Sequence, residues 1–445
     1  MLASKFKVES RKTLKLAGPI VLGQVGQNLI TLADTLMVGA LGATALAASA
    51  FAGSLFVIFL LFGLGTLAPV TALFAKMHGQ DDHPQGGVLL RHSLIVALLM
   101  SALMIGGLYI LKPFLGLFGQ TSEILEQGTP FLVIITWSIL PSLLYQTYKQ
   151  LTDGIGQTAV GMWVMALGVI LNIFGNYILI YGHFGAPAFG LIGAGYSTLF
   201  ARCVMAVVMM VYVHRSAKLK KYLSLPWMHN LDHHMLRTMM RLGLPNGLIY
   251  LFEVGAFSGA AIIMGWFGPL PLAAHQITIS VASMTFLFAV GIGIASSIRV
   301  GYELGRGDRA AARHAGFTSI YLSLIYMAFM AVAFLILRHW IPTMYVKDAE
   351  VIELAATFFI VVAVFQLFDG VQAVAMGALR GYSDTAWPSS MALISYWVIG
   401  LPLGYFLAFK TSIGPVGIWI GLAFGLACAA TLFTWRFNKI SKLKS

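Results

Sequence analysis

Long runs of apolar residues dominate this chain and leave few folds open to it. Segments 89–111, 159–181 and 387–409 each contain at most one charged residue. A helix that rises 1.5 Å per residue crosses the roughly 30 Å hydrocarbon layer of a bilayer in about 20 residues. Because backbone polar groups in lipid need internal partners, these runs are predicted to be helices. The chain is therefore predicted to be an all-α polytopic membrane protein.

The composition of the whole chain supports the same class. Hydrophobic residues make up 59% of the 445 positions and charged residues 10%, whereas a soluble domain carries roughly 25% charged residues. Too few charges are present to cover a large water-soluble surface. Twelve transmembrane helices are predicted, near residues 14–39, 46–75, 89–111, 129–150, 159–181, 190–213, 240–266, 274–298, 315–337, 353–377, 387–409 and 415–436.

The net charge of +12 raises the question of a nucleic-acid partner, and the distribution of the charges answers it. When alternate loops are assigned to two sides, one side collects both termini and 23 of the 28 Lys and Arg residues. Cytoplasmic loops of membrane proteins carry this excess. We therefore predict a multi-pass protein with both termini in the cytoplasm. We expect its partner to be the lipid bilayer, and we expect no nucleic-acid partner.

An internal repeat organises the twelve helices. When the chain is shifted along itself so that Pro19 aligns with Pro245, Gly79 aligns with Gly305. Each half holds six spans, and an even number of spans gives both halves the same orientation in the membrane. We expect two six-helix bundles related by a pseudo-twofold axis along the membrane normal. The predicted parts are an N-terminal lobe (1–213), a basic cytoplasmic linker (214–239) and a C-terminal lobe (240–445).

Three acidic residues, Asp34, Glu253 and Asp369, fall inside predicted spans. A carboxylate in hydrocarbon costs roughly 3 kcal/mol, so such residues usually face a cavity and mark an ion pathway. No Lys or Arg lies nearby on the same spans to pair with them. We interpret all three as candidates for proton or cation coupling. Glu253 and Asp369 belong to one predicted lobe, where burial and mutual repulsion favour uptake of H⁺ or Na⁺.

Asn172 and Asn176 lie four residues apart and therefore share a helix face. They either join helices by hydrogen bonds or line a first-lobe cavity with Asp34. Gln27, which aligns with Glu253 in the repeat, is a further candidate for lining a cavity. Pro19 either occupies the first turn of its helix or bends the span that carries Asp34. Arg202 lies within a span, and the sequence assigns it no role.

The chain contains no Gly-Lys dipeptide and therefore no Walker A loop for a nucleotide. It also lacks a His-Glu-x-x-His pair and a nucleophile elbow. We expect neither enzymatic activity nor a bound cofactor. If the protein performs active transport, the energy must come from a gradient of H⁺ or Na⁺.

Four motifs carry a resemblance to a known family. They are Leu-Ala-Ala-His-Gln-Ile at 272–277 and the segments 33–39, 299–308 and 377–385. Together they resemble the multidrug and toxic compound extrusion (MATE) family, and the three acids with the two asparagines resemble its NorM-type branch. The resemblance implies export of small cationic amphipathic drugs and dyes in exchange for H⁺ or Na⁺, by alternating access in a bacterial inner membrane. It also implies that Asp34, Glu253, Asp369, Asn172 and Asn176 are site residues, and we expect a monomer.

One position departs from the NorM-type pattern. A Tyr is expected four residues before the acid of the tenth helix, and this chain has Phe365 there. Phe365 can line the coupling cavity but cannot supply a hydroxyl ligand to a cation. The alternative function is that of a lipid-linked precursor flippase of the wider superfamily, although such proteins often have a cationic cavity. A passive channel is disfavoured because the spans contain no rings of charge.

Overall fold

A computed structural model describes residues 2–223 and 232–442. Part of the predicted linker, residues 224–231, lies outside them. The described chain is helical and contains no β-strand. It holds twelve helical segments that are long and apolar enough to cross a membrane, which confirms the predicted number of spans.

Eight α-helices cover the first half of the chain. A short 3₁₀ turn, Lys112–Phe118, extends α4, while α2 with α3 and α5 with α6 each form one interrupted span. The helices are α1 (Leu2–Gly39), α2 (Ala43–Leu67), α3 (Val70–Gly79), α4 (His83–Leu111), α5 (Ser122–Trp137), α6 (Ile139–Gly154), α7 (Thr158–Tyr181) and α8 (Leu191–Arg215).

Another eight α-helices cover the described part of the second half. One span there consists of α14, a π-helical segment at Ile394–Gly400 and α15. The helices are α9 (His233–Gly265), α10 (Pro269–Gly305), α11 (Arg309–Leu337), α12 (Trp340–Thr343), α13 (Ala349–Gly381), α14 (Ala386–Leu393), α15 (Leu401–Lys410) and α16 (Val416–Ser441).

Helix starts repeat between the two halves. Asp82 accepts a hydrogen bond from the backbone N–H of Gln85 at the start of α4. Asp308, which aligns with Asp82 in the repeat, accepts one from Ala311 at the start of α11. Each carboxylate satisfies one of the free N–H groups of a first helical turn. The repeat seen in the sequence therefore also fixes equivalent helix boundaries.

Helix α1 differs from the prediction at its N-terminal end. It begins at Leu2 and continues through Pro19, so Pro19 does not occupy the first turn, and that alternative is wrong. The first part of α1 includes several charged side chains, so a search for apolar runs does not detect it as part of the helix. A bend at Pro19 stays a prediction.

Contacts divide the chain into two compact units. One comprises Leu22–Gly247, and the other comprises Met1–Val21 together with Leu248–Ser445. Both dividing points fall two residues after a proline inside a helix, Pro19 in α1 and Pro245 in α9. The units therefore differ from the predicted lobes in where they place the first parts of α1 and α9.

An ion pair helps to hold the first part of α1 in the second unit, together with the burial of Ala17 in the apolar core of that unit. Glu9 forms an ion pair with Arg299 on α10, and Arg299 also lies 3.6 Å from Glu303. The residues that align with Glu9 and Arg299 in the repeat are apolar: Met235 of α9 and Leu73 of α3 belong to one buried cluster of the other unit. At this pair of aligned positions one unit therefore has an ion pair where the other has apolar packing.

Close backbone contacts position the helices that carry the candidate site residues. In α13, a methyl group added to Gly377 would lie 2.1 Å from the carbonyl oxygen of Gly293 in α10. In α8, one added to Gly193 would lie 2.3 Å from the carbonyl oxygen of Leu179 in α7. Small residues of this kind let membrane helices approach closely. They fix α13 against α10 in one unit and α8 against α7 in the other.

Candidate functional site

The unit formed by Leu22–Gly247 contains a hydrogen-bonded network around Asp34. Asn176 on α7 donates from Nδ2 to Asp34 Oδ1 at 2.6 Å, and the Thr198 hydroxyl on α8 donates to Asp34 Oδ2 at 3.3 Å. Asn172 donates to Thr198 Oγ1 at 3.2 Å, and its own backbone carbonyl accepts from Ser197 Oγ at 2.8 Å. Both asparagines are fully buried. They join helices by hydrogen bonds and hold Asp34, while the lining of a cavity by Asn172 and Asn176 stays a prediction.

Arg202 gives this network a nearby positive charge. Its guanidinium on α8 interacts electrostatically with Asp34, donates to Ser138 Oγ at 2.7 Å and lies 5.0 Å from the centre of the Phe56 ring. No ion pair joins Arg202 to Asp34 among the described residues. Arg202 therefore compensates part of the charge of Asp34 without occupying its hydrogen-bonding positions. The search for basic partners on the same span missed Arg202 because it lies on another helix.

The other unit brings Glu253 and Asp369 together. Glu253 on α9 and Asp369 on α13 interact electrostatically, and Asp369 is buried with 5% of its surface exposed. Asp369 Oδ1 has no hydrogen-bond partner among the described residues. Arg380 attracts the negative charge of Glu253. It lies on α13, which continues beyond the predicted end at 377 to Gly381. The pair therefore has a basic residue on one of its own helices, which the predicted span had excluded.

A row of oxygen atoms follows one face of α13 beside this pair. Gln366, Asp369 and Gln372 are spaced three residues apart and therefore lie on the same helix face. Each has a buried side-chain oxygen that receives no hydrogen bond in the described chain. The amide groups of the two glutamines are anchored elsewhere, since Gln366 donates to Thr285 Oγ1 at 2.5 Å and Gln372 donates to Tyr396 Oη at 2.6 Å. The free oxygens are thus held in place by bonds made through the nitrogens.

Tyr396 supplies a hydroxyl group close to the two acids. Its side chain is buried and interacts electrostatically with both Glu253 and Asp369. It lies in the π-helical segment Ile394–Gly400. Such segments occur frequently at functional sites, because one wider turn shifts the direction of a side chain. The hydroxyl expected at position 365 is therefore present in this unit, but on another helix.

Phe365 itself is part of the aromatic core. It is 1% exposed, and its ring centre lies 6.0 Å from that of Phe257 and 5.6 Å from that of Trp419, edge-on in both cases.

Gln27 on α1 is partly exposed, and its backbone carbonyl accepts from Thr31 Oγ1 at 3.5 Å. Pro19 is partly buried inside α1. Cavity lining by Gln27 and Phe365 stays a prediction.

Sequence reasoning missed several polar residues of both networks. The first network includes Thr198 and Ser138, and the second includes Gln366, Gln372 and Tyr396. A signal existed for the glutamines, because both interrupt an apolar span at helical spacing from Asp369. No comparable signal pointed to Tyr396, since only the packing of the π-helical segment brings it to the acids.

The chemistry of the second network suits a proton or a hard monovalent cation. Na⁺ belongs with the hard cations, which are bound by carboxylate, amide and hydroxyl oxygens, and this network contains all three types of oxygen. In the described part of the chain no three or more His, Cys, Asp or Glu side chains form a group that could hold a metal ion. The arrangement therefore offers no zinc-type centre there, and two carboxylates with neutral oxygens remain as candidate ligands.

Comparison with known proteins places the chain in a family. The family model described as MatE matches residues 19–178 and again residues 245–406. The second match begins at Pro245, the residue that aligns with the start of the first match, Pro19, in the internal repeat. Two copies of one family unit therefore make up most of the chain.

Curated relatives match along nearly the whole length. A probable multidrug resistance protein NorM of Rhodopseudomonas palustris is 36% identical over 99% of this chain and 94% of its own. Multidrug resistance protein MdtK of Yersinia pseudotuberculosis is 34% identical over 98% and 97%.

Solved structures show the same fold at low identity. The eukaryotic MATE transporter AtDTX14 superposes with a TM-score of 0.87 at 19% identity, covering 98% of both chains. The VcmN transporter of Vibrio cholerae, in its bent form, superposes with a TM-score of 0.87 at 17% identity and the same coverage. The family model, the relatives and the fold agree, and the chain belongs to the MatE family of membrane transporters.

Proposed function

We propose that this protein exports small cationic amphipathic drugs and dyes by exchange with H⁺ or Na⁺. The curated relatives from R. palustris and Y. pseudotuberculosis are named multidrug resistance proteins, and this supports the substrate class. Both are bacterial proteins, so the membrane we propose is the bacterial inner membrane, with both termini in the cytoplasm. Alternating access is the proposed mode of transport.

The acid pair Glu253–Asp369, in which Asp369 is buried, is the observation that carries the proposal. Two carboxyl groups that share a site cannot both be charged without strong repulsion, unless a proton or a cation is bound between them. The buried Asp369 Oδ1 and the amide oxygens of Gln366 and Gln372 lack donors in the described chain, so their lone pairs are available to such an ion. Uptake of the ion lowers the negative charge of the site and so weakens its attraction for an organic cation.

The Asp34 network offers a second point of coupling. Ionised Asp34 accepts from Asn176 and Thr198, while Asn176 Oδ1 is buried and receives no hydrogen bond among the described residues. Protonated Asp34 becomes a donor, and rotation of the Asn176 amide would then let Asn176 Oδ1 accept. The two protonation states of Asp34 thus favour different arrangements of α1 and α7, and we propose that this difference links ion uptake to movement of α1.

Transport in vesicles with imposed gradients tests the proposal. Purified protein is reconstituted into liposomes that contain a fluorescent organic cation, and efflux is followed under a Na⁺ gradient, a pH gradient or neither. We expect efflux only with one of the two gradients, which also identifies the coupling ion. Equal efflux without any gradient would indicate a passive channel and would contradict the proposal.

The flippase alternative is tested in the same liposomes. A fluorescent lipid-linked precursor placed in one leaflet is quenched by a membrane-impermeant reagent, and its transfer between leaflets is measured. We expect no transfer above that of protein-free liposomes. Gradient-dependent transfer of this lipid without drug efflux would replace the proposed function with the alternative.

A further inference from the structure

A groove between α11, α13 and α16 is lined by none of the residues of the two acidic networks, although Phe368 adjoins Asp369 in the sequence. Its volume is about 650 Å³, and most of its lining is apolar, including Leu324 on α11, Phe368 and Val371 on α13, and Ala430 on α16. One end carries polar groups: Arg313, Thr434 and Asn438. All these residues belong to the unit that contains Leu248–Ser445. The groove is therefore amphipathic along its length.

The length of the groove matches one leaflet of a bilayer. Arg313 and Leu324 are eleven residues apart on α11, which is roughly 17 Å along the helix axis. Half of the hydrocarbon layer is about 15 Å thick. Arg313 lies one turn from the start of α11, and Asn438 lies one turn from the end of α16. The polar end of the groove therefore lies at the membrane surface, and the apolar part reaches toward the middle.

The polar end carries positive charge that no acidic side chain neutralises. Arg313 donates to the carbonyl and side-chain oxygens of Asn438 and to Ser441 Oγ, all of which are neutral. Lys439 lies 5.2 Å from the centre of the Trp435 ring at the groove edge. By contrast, Arg436 nearby is paired with Asp384 at 2.7 Å. Among the described residues, Arg313 and Lys439 have no acidic partner.

Thr434 adds a second, independent sign of a missing polar partner. Its Oγ1 is buried and forms no hydrogen bond in the described chain, although the residue lines the groove. Thr434 lies one helical turn from Asn438, between the charged end and the apolar part. That depth corresponds to the ester groups of a phospholipid, below its phosphate. Trp435 beside it is a residue type enriched at the membrane interface.

We propose that this groove binds one anionic phospholipid in the leaflet on the side of the C-terminus. The phosphate meets Arg313 and Lys439, and an acyl chain fills the space between Phe368, Val371 and Leu324. Rotation of the Thr434 side chain toward the groove would let an ester oxygen accept its hydroxyl. Basic sites between transmembrane helices bind anionic headgroups in this manner. The site is separate from Glu253 and Asp369, so it stands whether or not the proposed transport function is correct.

Lipid association with the reconstituted full-length protein tests the site. Spin-labelled phosphatidylglycerol and phosphatidylcholine with identical acyl chains are compared, so that only the headgroup differs. We expect preferential association of phosphatidylglycerol with the wild type. Arg313→Gln and Lys439→Gln should each lower that association about fivefold, from roughly 1 kcal/mol per surface cation, and should leave phosphatidylcholine unchanged. Val371→Trp should lower the association of both lipids, because it fills the groove.

Two matched variants separate charge from fold. Arg313→Lys keeps the positive charge and should retain the preference for phosphatidylglycerol, and Lys410→Gln removes a cation outside the groove and should have no effect. If Arg313→Gln fails to fold, judged by thermal unfolding, Lys439→Gln and Val371→Trp decide the question. Equal association of the two lipids with the wild type, or unchanged association in Lys439→Gln and Val371→Trp, would overturn the proposal.

Discussion

Replacement of Asp34 by asparagine separates the charge of this residue from its hydrogen bonds. The amide oxygen of the substituted side chain can still accept from Asn176, whose Nδ2 lies 2.6 Å from Asp34 Oδ1 in the native protein. The new amide nitrogen would face Thr198, whose hydroxyl can turn and accept. Asp34→Asn therefore keeps both contacts in neutral form. What it removes is the ability of the group to gain and lose a proton.

The expected cost in stability follows from the two bonds. A hydrogen bond to a charged group contributes about 1.5–3 kcal/mol and a neutral one about 0.5–1.5 kcal/mol. The short bond from Asn176 accounts for most of the difference, because the Thr198 bond is long at 3.3 Å. From the difference between a charged and a neutral bond, we expect the free energy of unfolding to fall by about 1 kcal/mol or slightly more. A protein destabilised by this amount still folds, whereas gradient-driven efflux should fall to the rate of protein-free liposomes.

Thr198→Val is the matched control for this experiment. It keeps the carboxylate of Asp34 but leaves the buried amide of Asn172 without its acceptor at 3.2 Å, which costs about 1–3 kcal/mol. We expect Thr198→Val to be at least as destabilised as Asp34→Asn and yet to transport. Stability is measured by thermal unfolding in detergent, and transport by dye efflux from liposomes. If Asp34→Asn exports dye at the wild-type rate with unchanged pH dependence, Asp34 has only a structural role.

Four further predictions concern other residues. Glu253→Gln and Asp369→Asn should each abolish gradient-driven efflux in liposomes while leaving expression intact; normal export by both would exclude them from coupling. Tyr396→Phe should lower the free energy of unfolding by about 1–3 kcal/mol, because Gln372 loses the acceptor of its amide; unchanged thermal unfolding would contradict the assigned bond. Glu9→Gln and Arg299→Gln should each destabilise the protein, and a double-mutant cycle should give a coupling energy of about 1–3 kcal/mol; strict additivity would mean that the ion pair contributes nothing. At the start of α9, hydrogen bonds from the backbone N–H groups of Met235 and His234 lower the pKa of Asp232. The contribution of Asp232 to stability is therefore complete above the unfolded pKa of about 4 and is lost as the pH falls through the lower folded pKa. Asp232→Asn should lessen this acid sensitivity of unfolding, and an identical acid profile would argue against the role.

The sequence was sufficient for the features that depend on composition and periodicity. Twelve spans follow from apolar length, and the repeat that aligns Pro19 with Pro245 reappears in the capping of α4 and α11. The acids Asp34, Glu253 and Asp369 could be selected because a charge inside an apolar run is conspicuous. These features are properties of single segments, which a linear sequence records directly.

Partners across helices could not be predicted in the same way. Thr198, Arg202 and Tyr396 are ordinary residues in their own segments, and only tertiary packing brings them to the acids. The N-terminal extent of α1 was underestimated because its first turns are polar and are stabilised by Arg299, which comes much later in the chain. Pairings between distant segments depend on register and packing, which apolar spacing does not specify.

The division of α1 at Val21 has a consequence for how the protein is made. A ribosome completes residues 2–21 first, but their unit also needs Leu248–Ser445, which is synthesised last. Until then Glu9 has no Arg299 with which to form its ion pair. Domains usually fold as units in order of synthesis. Here the segment synthesised first can complete its packing only after the second half of the chain has been made. The N-terminal part of α1 is therefore among the last segments to reach its final position.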